Sequence, residues 1–68
     1  MKISARNAFS GRIVDIKKGP TTSHITIDAN GTKITAAITT ESVDDLGLKV
    51  GADAMAIVKA SNVMVATA

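Results

Sequence analysis

The chain has 68 residues, eight basic and six acidic side chains, a formal net charge of +2, no cysteine and one histidine. That length limits it to a single domain over residues 1–68, and the missing cysteines with a lone histidine exclude a disulfide framework and the usual Cys/His zinc site. The mild charge and the single aromatic residue, Phe9, argue against a polyanion partner, since single-stranded nucleic acid is gripped by several aromatic platforms.

In chain order, Ser4-Ala5-Arg6-Asn7 reads as extended, which puts Ser4 and Arg6 on one face. Both are donors, and the stretch holds no carboxylate to answer them, so an acid elsewhere, solvent or a bound anion must. Gly11 predicts a bend or bulge, and Arg12–Lys17 a strand with Val14 and Ile16 on one face. Lys18-Gly19-Pro20-Thr21-Thr22 is a loop, because Pro20 has no N–H for a ladder. Ser23–Asp28 alternates polar His24, Thr26 and Asp28 with apolar Ile25 and Ile27, the pattern of a strand with one wet face. Asn30-Gly31 predicts a two-residue hairpin turn into Thr32–Ile38, with Ile34, Ala36 and Ile38 inward.

The period then changes. Thr39 to Leu48 carries hydroxyls and acids first, Val43 and Leu46 three apart, then Gly47, and predicts a short helix from Glu41 to Leu46. Lys49–Asp53 is a turn. Ala54–Ala60 is a strand apolar on both faces, expected to be buried on both sides. Val63–Ala66 reads as a last short strand after Ser61-Asn62. The sum is an all-β chain: a small five-stranded barrel of the oligonucleotide-binding (OB) type, with one short helix between the third and fourth main strands. No apolar run approaches a membrane span or a signal peptide, so a cytoplasmic protein is expected. A hydrophobic share of 46% exceeds what so short a chain can hide, which predicts oligomerisation.

Three groups could carry chemistry. Ser4 and Arg6 form the first. Lys59 is the second: it either reaches water from its strand end or gives a cation beside the N–H of Ala60 and the hydroxyl of Ser61. Thr39 and Ser42 are the third, as helix caps, as anion donors at a helix start, or both. His24 faces the polar side of its strand and reads as solvated. No metal-ligand cluster, nucleophile triad or phosphate-cradling glycine loop appears, and no catalytic residue is assigned.

Taken together, Met1-Lys2-Ile3-Ser4-Ala5-Arg6-Asn7, Ala37-Ile38-Thr39-Thr40-Glu41-Ser42-Val43, Leu46-Gly47-Leu48-Lys49-Val50-Gly51 and Val58-Lys59-Ala60-Ser61 resemble the molbindin (Mop) family of cytoplasmic molybdate- and tungstate-binding proteins. The resemblance runs nearly end to end. It implies a hexamer, a trimer of dimers, with molybdate or tungstate held between subunits and no metal ligated directly by side chains. Ser4 and Arg6 would come from one subunit, and Thr39, Ser42 and Lys59 from its neighbour, with Ala60 and Ser61 close by. The family also has a second class of site near symmetry axes, for which Gly19, Pro20, Thr21 and Thr22 are candidates. Here the chain departs from the family, with His24 before Ile25 where a glutamate is usual.

Donor chemistry agrees. Molybdate and tungstate are proton-free dianions at neutral pH and only accept hydrogen bonds, so a fitting site holds donors alone. Phosphate, partly protonated, would leave an O–H without an acceptor there. Sulfate differs only in its smaller size. The resulting expectation is reversible storage of the oxyanions by a homo-oligomer without catalysis, nucleic acid or membrane. The alternatives are an interaction module for molybdopterin or a molybdoenzyme and a single-strand-binding OB barrel.

Overall fold

Asn30-Gly31 organises one half of the sheet. In the computed structural model, which describes Ser4 and residues 6–68, Asn30 (φ 55°) and Gly31 (φ 95°) adopt positive backbone angles, as a two-residue hairpin turn requires. The turn sets the register of the two strands that it joins: β2 (Thr22–Ala29) and β3 (Thr32–Thr39) pair antiparallel from Ala29↔Thr32 to Thr22↔Thr39. Asp28 braces the turn, accepting from Lys33 Nζ at 3.1 Å and from the Gly31 N–H at 2.8 Å. Those two bonds, Lys33 first, hold its carboxyl below the ordinary range.

The first strand, β1 (Asn7–Lys18), is longer than expected and absorbs the Ala8–Gly11 segment. Its second half pairs with β2 and its first half with β4 (Asp53–Val58), giving an antiparallel sheet in the order β3-β2-β1-β4. The sheet curls into a half-barrel, since Ile13, Ile25, Ile27, Ala56 of β4 and Val43 of the helix share one core. Gly11 permits the curl. A Cβ there would lie 2.4 Å from the Asp28 carbonyl oxygen, so close backbone approach is what requires glycine.

Four of the sequence expectations are corrected. The bulge falls between Ile13 and Asp15 rather than at Gly11. It inserts Val14 as an extra residue, so Ile13 and Ile16, three apart, both face the core and Val14 is left 39% exposed. β4 stops at Val58 and is covered on one face only: Ala56 is buried, while Met55 on the other face is 47% exposed because no second layer of the described residues reaches it. Val63–Ala66 forms no strand. It follows a 3₁₀ turn (Ala60–Asn62) with Met64 93% and Val65 90% exposed. Without that fifth strand the described residues form four strands, and no ladder closes β3 onto β4.

The helix matches its prediction within a residue. α1 runs Thr40–Leu46 between β3 and β4, with Thr39 as N-cap and Gly47 (φ 64°) closing it in the left-handed conformation. Val43 is its one buried residue. Among the described residues no helix is long and apolar enough to cross a membrane.

Candidate functional site

Two donor groups stand at opposite ends of β1. At the first end the β1–β4 ladder finishes at Asn7↔Val58, where Asn7 Nδ2 also donates to the Val58 carbonyl at 3.2 Å. Arg6 and Lys59 are each one residue beyond that pair, so both cations leave the ladder at the same end of β1. Both are exposed, and Ala60 and Ser61 follow Lys59 in the 3₁₀ turn, exposed as well. The ion pairs among the described residues are Lys18–Asp44 at 2.7 Å and Lys33–Asp28 at 3.1 Å, and neither takes Arg6 or Lys59.

Ser4 and Arg6 are exposed and lie in bends. The extended reading of Ser4-Ala5-Arg6-Asn7 does not hold for them: β4 ends opposite Asn7, so no ladder partner keeps residues before Asn7 in strand geometry. Ala5 lies outside the described residues. Within one chain Lys59 leaves the ladder at the Arg6 end of β1, while Thr39 and Ser42, which the resemblance groups with it, lie at the other end.

The second end gathers around the start of α1. Thr39 pairs with Thr22, and Ser23 pairs with Lys18 at the finish of β1. Thr39 Oγ1 accepts from the Ser42 N–H at 3.1 Å, and the two hydroxyl oxygens are 2.7 Å apart. One hydroxyl proton is used between them, so the pair keeps one O–H to give outward. The Thr40 N–H already donates to Thr21 at 2.9 Å. Two N–H groups of the first turn are therefore committed, and anion binding at this end would draw on hydroxyls rather than on a free helix start.

Of the six acids, Glu41, Asp44 and Asp45 lie on α1 and Asp15, Asp28 and Asp53 on the strands. Register aligns Asp53, Arg12, Asp28 and Lys33 in one row across the four strands, alternating in sign. Such opposite-charge neighbours support register, and Lys33 with Asp28 forms an ion pair within the row. His24 is exposed on β2, opposite Lys17 and Ala37, and among the described residues no three of His, Cys, Asp and Glu cluster.

Sequence reasoning missed Ser23 and Thr40. Ser23 is fully buried, its Oγ 2.7 Å from Thr40 Oγ1, which in turn donates to the Gly19 carbonyl at 2.7 Å. The signal was present: Ser23 occupies the inward phase of Ile25 and Ile27, so a hydroxyl in the core was readable from alternation. The Gly19–Thr22 loop is thereby tied to the residue between Thr39 and Ser42.

Against known proteins, the TOBE domain model matches residues 3–65. The chain is 46% identical over 66 residues to molybdenum-pterin-binding protein 2 of Clostridium pasteurianum, covering 96% of this chain and 97% of that one. A molybdate-binding protein from Sporomusa ovata has the same fold, with a TM-score of 0.94 at 42% identity over 98% of this chain and 100% of the other. The cytoplasmic molybdate-binding protein ModG, solved with molybdate bound, gives a TM-score of 0.90 at 43% identity, over 94% of this chain and 46% of its own.

Proposed function

Because the chain belongs to the TOBE domain family, in its molybdenum-pterin-binding (Mop) group, we propose that it binds molybdate and tungstate as free oxyanions. It holds and releases them in the cytoplasm as one binding domain, residues 1–68, in a homo-oligomer, without catalysis. The observation that carries this reading is the split donor set. Arg6 and Lys59 emerge together beyond Asn7↔Val58, and Thr39 and Ser42 meet at the other end of β1. Neither set includes a carboxylate, which suits a dianion that only accepts.

One copy then offers Ser4, Arg6, Lys59, Ala60 and Ser61 to an anion, and a second copy offers Thr39 and Ser42. A two-fold contact of that kind closes a dimer, and the trimer of dimers that the family resemblance implies needs a second, different contact. The Gly19–Thr22 loop, bonded to the same helix start, is the candidate for a second class of site. Hydrogen bonds to a charged partner contribute about 1.5–3 kcal/mol each, enough for several of them to hold the oxyanion firmly.

Calorimetric titration of the purified protein with sodium molybdate, tungstate, sulfate and phosphate tests the reading. Tight, saturable binding of the first two with weak binding of the others is expected. Equal weak binding of all four contradicts it. The name of the Clostridium relative favours a second reading, in which a molybdenum-bound pterin is the ligand. Retention of a pterin by protein stripped of free oxyanion would select that alternative.

A further inference from the structure

Ser23 is the one buried polar side chain among the described residues, and oxyanion binding as proposed above does not use it. The Gly19 carbonyl can only accept, so the single hydroxyl proton of Thr40 goes to Gly19, and Ser23 must be the donor to Thr40. The chain of protons has one direction, from Ser23 through Thr40 to Gly19, and none is left for a ligand. These groups hold rather than bind. Beside them the Thr40 N–H donates to the Thr21 carbonyl at 2.9 Å and the Gly19 N–H to the Thr22 carbonyl at 3.1 Å. Loop, strand start and helix start are joined as one hydrogen-bonded unit, with Thr39 and Ser42 on either side of its centre.

We propose that Ser23 and Thr40 are positioning residues for oxyanion selectivity, fixing the Thr39 and Ser42 hydroxyls at a spacing that accepts molybdate and disfavours sulfate. The inference rests on the reading that Thr39 and Ser42 contact the oxyanion. Both anions are proton-free dianions of the same shape, so donor type cannot separate them. Size can, but only if the donors are stiff, because loose donors close around the smaller ion at little cost. A hydroxyl relay anchored on the fully buried Ser23 supplies that stiffness, since losing the Thr40 hydroxyl leaves Ser23 a buried polar group without a partner.

The test is titration with sodium molybdate and sodium sulfate of the wild type, Ser23→Ala, Thr40→Val and Thr40→Ser, with thermal melting and native mass recorded for each. Ser23→Ala and Thr40→Val should weaken molybdate about tenfold, the scale seen when an outer partner of a ligand is removed. Sulfate should change less, so the molybdate preference narrows. Thr40→Ser keeps the O–H and should restore both affinity and preference. A folded Ser23→Ala with wild-type affinity and preference overturns the proposal, as does equal weakening of the two anions, which a merely structural role predicts. Should Ser23→Ala not fold, Ser23→Cys keeps the volume, weakens the donor and carries the same comparison. A wild type that does not prefer molybdate overturns the oxyanion reading itself, and is told apart by appearing before any substitution.

Discussion

Arg6 and Lys59 bring two positive charges to the end of one ladder, and neither joins an ion pair among the described residues. A dianion suits two such charges, so Arg6→Ala or Lys59→Ala should lower molybdate affinity at least about tenfold, the equivalent of one charge-assisted hydrogen bond. Calorimetry reads this directly, and unchanged affinity in both variants would move the site elsewhere. Gly11→Ala tests the fold instead. Its Cβ would meet the Asp28 carbonyl at 2.4 Å, and overpacking against backbone should cost at least about 1–3 kcal/mol in denaturant unfolding.

Asp28 gives the pH dependence. Its carboxyl is held below the ordinary value of 3.8 by Lys33 and the Gly31 N–H, so its contribution is present above that value and is lost as pH falls through the folded-state pKa. Asp28→Asn should flatten the acid limb of the stability curve below pH 3.8 and leave neutral pH affinity for molybdate intact. At this scale the sequence was legible where alternation is strict, as in Ile25 and Ile27. It failed at Val14, because one inserted residue reverses the facing of everything before it, and composition does not mark a bulge.

At the scale of elements, α1 is where capping and binding can be separated. Thr39 caps the helix through the Ser42 N–H and also meets the Ser42 hydroxyl. Asp is as good an N-cap as Thr and suits the positive helix start, but a carboxylate repels a dianion. Thr39→Asp should therefore melt within a few degrees of wild type and lose molybdate binding. Retained binding in that folded variant would leave Thr39 a cap alone. The helix and the Asn30-Gly31 hairpin were both legible because their signals are local: hydroxyl before, glycine after, positive backbone angles at the turn. β4 and the Val63–Ala66 segment were not. Their apolar pattern predicts burial on every side, yet Met55, Met64 and Val65 are exposed in the single chain, and the cover their pattern calls for is not supplied by the described residues.

That mismatch belongs to the whole molecule. A sheet with two free edges, Phe9 44% exposed on its inner face and donor groups at both ends of β1 reads as half of an arrangement completed by another copy. The resemblance supplies the candidate set, and the grouping proposed within it follows the ladder, which brings Arg6 and Lys59 out at the same end of β1. Sequence order alone could not reveal this, since Arg6 and Lys59 lie far apart in the chain and reach the same end of β1 only through the antiparallel β1–β4 pairing.

The most direct test of a site shared between copies is complementation. Arg6→Ala and Ser42→Ala chains are prepared separately and as a co-refolded mixture, and tight molybdate sites are counted by calorimetry. Each variant alone damages every site. In a two-fold contact, a mixed pair has one site with both defects and one with neither, so random mixing should recover about a quarter of the wild-type sites. Recovery at that level, at wild-type affinity, is the predicted result. A mixture that binds no better than either variant alone would contradict it, because all the donors would then belong to one chain.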